Sequence, residues 1–234
     1  MGFFHFKHFS INQEGASMKV GTDAMILGSL IPEGKYVNAL DIGTGTGVLA
    51  LMTVQKNPKL SITAIDIDAA NVALANENFK NSLWNKNLTV KKENFFFFKT
   101  NQIFDLIFSN PPFYLTDLGS SYSRKLTSKH LCSDFLDVFF EKSASMLSNN
   151  GVFWLILPYK GFDEWTLVAR SHGLKICSLI YIYGKESNCN RIVVEFKKNT
   201  TKKVKESSLI IRDKKGGYSE EYKILTKEFH GVNL

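Results

Sequence analysis

At 234 residues, 44% hydrophobic and 22% charged, the chain is sized for one folded domain with a modest extension, and this composition excludes disorder for most of its length. Cys132, Cys177 and Cys189 are odd in number and form no CxxC pair, which excludes a disulfide framework and a zinc cluster; the longest apolar run, Val152 to Leu157, is too short for a bilayer. A cytoplasmic protein without a metal is expected, and the net charge of +7 suits a polyanionic partner such as RNA without requiring one.

Residues 1–36 precede the first strand and read as an N-terminal extension with a short helix around Met25-Ile26-Leu27; residues 37–234 form the main domain. From Val37 onward, short apolar runs alternate with stretches of helical spacing, the pattern of an α/β fold with a mainly parallel sheet. Strands are predicted at Val37–Ile42, Leu60–Asp66, Leu88–Lys92, Phe104–Phe108, Val152–Pro158, Leu174–Ile182 and Arg191–Lys197. Helices are predicted at Gly47–Gln55, Ala69–Lys80, Asp134–Leu147 and Phe162–Ser171. Asp68 is placed to cap the amides of Ala70 and Asn71, and Val72, Leu74, Ala75 and Phe79 make a buried stripe on the helix that follows. Asn149-Asn150-Gly151 reads as a turn into the next strand. The Lys-rich stretch from Lys197 to Lys205 reads either as a loop over RNA or as a solvated hairpin loop between the last two strands.

Asp41-Ile42-Gly43-Thr44-Gly45-Thr46-Gly47 follows an apolar strand and opens a helix. Glycines there let backbone pass close to a ligand. The spacing is GxGxG, and the acid at the strand end would repel a pyrophosphate but pair with the ammonium of an amino-acid-bearing ligand. That combination points to S-adenosylmethionine rather than NAD. Asp66, at the end of the next strand, is where nucleotide-binding α/β folds carry the carboxylate for ribose hydroxyls, with Asp68 as the alternative or as a helix cap only. After the third strand, Asn94 can donate to and accept from an adenine edge.

At the end of the fourth strand stands Ser109-Asn110-Pro111-Pro112-Phe113-Tyr114. Two consecutive prolines stiffen the chain and remove two amide donors, so the Asn110 side-chain oxygen and the Pro111 carbonyl can be held as paired acceptors for an NH2 group on an aromatic ring or an amide. Accepting both protons favours a pyramidal nitrogen whose lone pair is free for in-line attack on a sulfonium methyl. Phe113 can stack on the flat acceptor. The competing reading is a strand-terminating Pro-Pro turn with a core aromatic.

These residues resemble the class I amino-methyltransferases, whose fourth motif reads (D/N/S)-P-P-(Y/F). The run Met18-Lys19-Val20-Gly21-Thr22-Asp23-Ala24-Met25-Ile26-Leu27-Gly28, followed by Asp41–Gly47 and Asn110–Phe113, is more closely similar to the bacterial valine-tRNA adenine N6-methyltransferases, which modify A37 beside the anticodon. The resemblance implies a Rossmann-like, seven-stranded sheet of order 3-2-1-4-5-7-6 with the last strand antiparallel and helices on both faces. It implies that Gly21 and Thr22 lie over the cofactor, that Asp41, Gly43 and Gly45 line it, that Asp66 holds the ribose, and that Asn110, Pro111, Pro112 and Phe113 handle the base. Asn94 stands where such enzymes often carry Asp, which makes its cofactor contact the departure from the pattern.

Lys19, Arg124, Lys125, Lys129 and His130 are the candidates for phosphates around a flipped nucleotide, against a reading of the last four as a solvated loop. A monomer acting on a valine tRNA is expected. Methylation of a protein glutamine, as in release factors, or of a guanine N2 in rRNA shares the Asn-Pro-Pro-Phe element, and a noncatalytic RNA-binding subunit on the same fold is the reading outside enzymes.

Overall fold

The computed structural model describes residues 2–111, 129–185 and 188–230, with 129–134 described by backbone alone. Phe3–His5 (β1) and Ser10–Asn12 (β2) pair as an antiparallel ribbon, and Thr22–Leu30 forms α1. Strands and helices then alternate as β3 (Asn38–Ile42), α2 (Val48–Lys56), β4 (Ser61–Asp66), α3 (Ala69–Lys80), β5 (Leu88–Lys92) and β6 (Phe104–Ser109). The second half runs α4 (Lys129–Met146), β7 (Leu147–Pro158), α5 (Phe162–Ser171), β8 (Lys175–Tyr183), β9 (Cys189–Lys197), β10 (Lys205–Ile210) and α6 (Glu220–Thr226).

The main sheet has eight strands in the order β5-β4-β3-β6-β7-β9-β8-β10, and β9 alone runs against its neighbours. Counted from β3, the first seven reproduce the expected 3-2-1-4-5-7-6. The eighth, β10, corrects the expected strand number: it pairs in parallel with the outer edge of β8, from Lys205↔Ser178 to Ile210↔Tyr183. The link after β9 is therefore not a hairpin. It passes β8 and brings the tail to α6, which packs beside α1 and buries Tyr222. Because β9 is antiparallel, this Lys-rich link lies at the amino ends of the parallel strands, whereas Asp41, Asp66 and Asn110 stand at the carboxyl ends. Six residues of strand separate the two edges by roughly 20 Å.

The apolar residues of the strands alternate between two cores. Helices α1, α2, α3 and α6 cover one face, with Ile26, Leu27, Leu51 and Tyr222 buried there, while α4 and α5 cover the other. Much of the heavy phenylalanine load goes into this second core, where Phe139 touches Phe95, Phe135, Phe140, Phe153 and Trp165, the contacts with Phe140 and Trp165 edge to face. Each such pair adds about 0.5–1.5 kcal/mol beyond the area it buries.

Two local expectations are corrected. Asn149-Asn150-Gly151 is not a turn but part of β7: Leu147 and Val152 oppose Phe104 and Leu106, so the extra residues bulge out of the ladder and leave Asn149 and Asn150 exposed. On α3 the buried face is Asn71, Ala75, Asn78 and Phe79, with Val72 and Leu74 only half-buried. Ala75 and Phe79 join the apolar core, while Asn71 and Asn78 meet polar chain and supply hydrogen bonds. Asn78 accepts from the Asn12 amide (2.8 Å) and donates to the carbonyls of Asn12 (3.0 Å) and Thr46 (2.8 Å), joining the N-terminal ribbon to the glycine loop.

Candidate active site

In the sheet, β3 lies between β4 and β6, and the chain leaves β3 on one side and returns on the other. The loops at its carboxyl end therefore diverge and open a crevice, the place where open α/β sheets hold ligands. The glycine loop is bolted to β4: the amides of Gly43 and Thr44 donate to the Ile65 carbonyl (2.9 and 3.0 Å), and that of Gly45 donates to Asp66 Oδ2 (2.8 Å). Gly43, Gly45 and Gly47 all have positive φ, at 70, 56 and 83°. They do different work. A Cβ on Gly43 or Gly45 would meet nothing within 4 Å, so backbone there faces open space, whereas a Cβ on Gly47 would stand 2.4 Å from Phe79 Cε1. Gly47 is a packing glycine; the other two, with their amides bonded to β4, turn a flat backbone face free of side chains toward a ligand.

Asp41 lies under this loop with no solvent exposure. Its Oδ2 accepts from Thr44 Oγ1 (2.7 Å), and its Oδ1 has no hydrogen-bond partner among the described residues. Burial pushes its carboxyl up to about 7 and the nearby Asp66 charge adds to the rise, while the Thr44 hydroxyl and the Ala50 amide, which favour the ionised form, oppose it. An unpaired buried oxygen costs about 1–3 kcal/mol, which a donor or cation from a bound molecule would relieve. The donor set thus fits S-adenosylmethionine: a carboxylate with one oxygen unpaired among the described residues, beside a loop with room for a ligand.

Asp66 is also buried, and it accepts from the amides of Gly45 and Asp68 (2.8 and 2.9 Å) and from Asn71 Nδ2 (3.4 Å). A carboxylate has about four acceptor positions. Its first task is to hold the loop, and one position remains for a ribose hydroxyl. Asp68 is a helix cap, accepting from Ala70 (2.8 Å) but not from Asn71 as expected. Beside it, Ile67 is 64% exposed, an apolar side chain at the crevice that sequence reasoning missed. Asn94 is partly spent: its Oδ1 accepts from the Phe96 amide (3.0 Å), and its NH2 is left for a ligand. Lys142 fixes the same turn from α4, donating to the carbonyls of Phe96 (3.0 Å) and Phe98 (2.7 Å).

On the neighbouring strand, Ser109 Oγ donates to the Ile42 carbonyl (2.7 Å), tying the end of β6 to the end of β3. The next residue, Asn110, carries a second buried side-chain oxygen without a partner among the described residues, and Pro111 is buried behind it. Two unpaired oxygens, one charged and one neutral, thus stand at adjoining strand ends. Pro112, Phe113, Arg124 and Lys125 lie outside the described residues. Lys129 and His130 begin α4, with side chains outside the description.

The segment before α1 is held at both ends. Ser17 Oγ hydrogen-bonds Asn71 (3.1 Å), the residue that reaches Asp66, and Asp23 Oδ2 accepts from Arg191 Nε at the start of β9 (2.9 Å). Between these anchors lie exposed Lys19, Gly21 as the N-cap of α1, and half-buried Thr22. The Asp23–Arg191 pair spans 168 residues of sequence, and no local pattern announces it. Among the described residues no group of three or more His, Cys, Asp or Glu is arranged to hold a metal ion, and no helix is long and apolar enough to cross a membrane.

Residues 16–163 match the family described as the methyltransferase small domain. The tRNA1(Val) (adenine(37)-N6)-methyltransferase of Pedobacter heparinus is 33% identical over 226 residues, covering 97% of each chain. The protein of the same name from Phocaeicola vulgatus is 36% identical over 233 residues, again 97% of each. The crystal structure of a predicted O-methyltransferase from Agrobacterium tumefaciens superposes with a TM-score of 0.70 at 14% identity, over 90% of this chain and 98% of that one, which speaks to the fold alone. A likeness of this depth along nearly the whole chain makes the protein a member of the methyltransferase small domain family and, within it, of the tRNA1(Val) (adenine(37)-N6)-methyltransferase family.

Proposed function

We propose that this chain transfers a methyl group from S-adenosylmethionine to N6 of adenine 37 in a valine tRNA, acting in the cytoplasm as a monomer. The observation that carries the chemistry is the buried side-chain oxygen of Asn110, unpartnered among the described residues, beside the open loop at Gly43 and Gly45. An acceptor without a donor at the end of β6 suits an NH2 group, and the neighbouring Asp41 oxygen suits an ammonium. The target is supplied by the family: both relatives named above are called adenine(37)-N6 enzymes.

S-adenosylmethionine, when bound, supplies an electrophilic methyl group. Asp41 attracts the ligand's ammonium, Asp66 offers its remaining acceptor position to a ribose hydroxyl, and Asn94 offers its NH2 to the adenine edge of the ligand. Ile67 gives that adenine an apolar surface. Gly21 and Thr22 belong to a strap over the cofactor, a role supported by its anchors at Asn71 and Arg191. Residues 1–36 thus act as a covering extension and 37–234 as the catalytic domain. Asn110 Oδ1 and the Pro111 carbonyl accept the two N6 protons, which localises the lone pair for attack, while Pro112 stiffens the loop and Phe113 stacks on the base. One proton leaves after methyl transfer, so no strong base is needed. Lys19, Arg124, Lys125, Lys129 and His130 surround the flipped nucleotide with positive charge.

The test is transfer of labelled methyl into unmodified valine tRNA, with release factor protein and rRNA in parallel, followed by nucleoside analysis. N6-methyladenosine that vanishes when A37 is replaced is the expected result. Label in a protein glutamine or in guanine would overturn the substrate.

A further inference from the structure

The sheet sorts the basic clusters by edge. The Lys-rich link between β9 and β10 lies at the amino ends of the parallel strands, and part of its charge is engaged: Lys197 pairs with Glu195 (3.3 Å) and Lys198 donates to the Leu147 carbonyl (2.5 Å). Because β10 runs parallel to β8, its carboxyl end and the turn 212–218 emerge on the same edge as Asn110. That turn, Arg212-Asp213-Lys214-Lys215-Gly216-Gly217-Tyr218, carries three basic residues and one acid.

The turn is built rather than loose. Arg212 and Tyr218 form its bridged base, the Asp213 amide donates to the Gly217 carbonyl (2.9 Å), and Gly216 takes a φ of +88° at the reversal. The one acid is turned to structure, with Asp213 Oδ1 accepting from the Gly217 amide (2.9 Å). The Arg212 guanidinium lies 4.2 Å from the centre of the Tyr218 ring, which stacks in turn on Tyr222 at 4.7 Å. Tyr222 is buried in the core, so the stack ties the turn to the body of the protein. Its neighbour on the edge is the end of β8: the Arg212 amide donates to the Gly184 carbonyl (3.1 Å), which brings exposed Lys185 to the same corner. A cavity of about 300 Å³, lined by Asp23, Ile182, Asn190, Arg191 and Ile211 among others, separates this corner from the start of α1.

From this geometry we infer that the corner formed by Lys185, Arg212, Lys214 and Lys215 is a docking site for the phosphate backbone of the substrate RNA, away from the nucleotide being modified. The inference rests on the tRNA reading above. Strands β6 and β10 are four spacings apart in the sheet, roughly 19 Å. A phosphate held here belongs to a nucleotide well removed from the one at Asn110, so the corner supplies affinity and register while leaving chemistry to the crevice. A preordered turn loses little entropy on binding, which favours it over a flexible basic tail.

The experiment compares the double variant Lys214→Glu/Lys215→Glu with Lys202→Glu/Lys203→Glu, which makes the same charge change on the opposite edge. Binding of full-length valine tRNA is measured without cofactor across a salt series, and methyl transfer is measured on that tRNA and on an oligonucleotide of the anticodon loop alone. Lys214→Glu/Lys215→Glu should weaken tRNA binding at least about tenfold at low salt and reduce the slope of log K against log salt by about 2. Its turnover at saturating tRNA and its KM for the oligonucleotide should not move, and the Lys202→Glu/Lys203→Glu protein should behave as wild type. Equal weakening by both pairs, or equal losses on tRNA and oligonucleotide, overturns the inference, as does an unchanged salt slope. A wild-type protein that binds tRNA but methylates only another substrate overturns the function proposed above and leaves the docking result to stand on the salt series.

Discussion

Lowering the pH from 8 to 6 should weaken cofactor binding through one carboxyl group. Burial raises Asp41 from the ordinary 3.8 to about 7, and a cationic ligand group binds the ionised form. With that value the carboxylate makes up about 0.9 of the population at pH 8 and about 0.09 at pH 6, so affinity should fall about tenfold across the interval. At pH 6 binding must also expel the proton from nearly every molecule. Calorimetry with S-adenosylhomocysteine, which keeps the amino group, in buffers of different ionisation enthalpy should therefore report about 0.9 proton released at pH 6 and about 0.1 at pH 8. Stability should move the opposite way. With the folded pKa above the unfolded one, the folded chain binds more protons between pH 4 and 7, so Asp41 makes the protein less stable as pH rises through that window. Asp41→Asn removes the charge with little change of shape and should flatten both trends. A wild-type affinity that ignores pH, or a dependence that survives in Asp41→Asn, would refute the assignment.

Asn110→Ala should leave cofactor affinity unchanged and reduce turnover on the order of 10²–10³, as for loss of one preorganised hydrogen-bonding group at a reacting centre; single-turnover methyl transfer checks it. Gly43→Ala and Gly47→Ala should separate ligand from packing. The first strains only a loop that faces open space and should chiefly lower cofactor affinity, while the second drives a methyl against Phe79 and should cost about 1–3 kcal/mol in a urea titration. Asn78→Ala strips three hydrogen bonds from part-buried or buried backbone and should cost at least about 2 kcal/mol, with faster proteolysis of the first twenty residues as a second readout.

The strand pattern was legible because a strand buried on both faces reads as an apolar run whatever its neighbours. The glycine loop and Asn110 were legible because their chemistry is local, carried by a few consecutive residues at a strand end. What a local pattern cannot carry is the partner across the fold. Lys197 to Lys205 reads the same whether it turns back on β9 or passes β8, and only the pairing of β10 decides that it lies on the edge remote from the site. Asn149-Asn150-Gly151 has turn composition, yet the β6–β7 register absorbs it as a bulge. The α3 sequence announces only an apolar stripe; that Asn71 and Asn78 are buried follows from partners far along the chain, at Ser17, Asn12 and Thr46. The paired Asp23 and Arg191 and the stacked Arg212 and Tyr218 escaped for the same reason.

Asn78 has a mechanical consequence. One amide clasps the ribbon at Asn12 and the glycine loop at Thr46, so the two cannot open independently. Whatever stills the loop also latches the beginning of the chain. Hydrogen exchange at Ile11 to Gln13 is therefore a remote gauge of occupancy at Gly43 to Gly45, and slack introduced in the ribbon is felt as a looser grip on the cofactor.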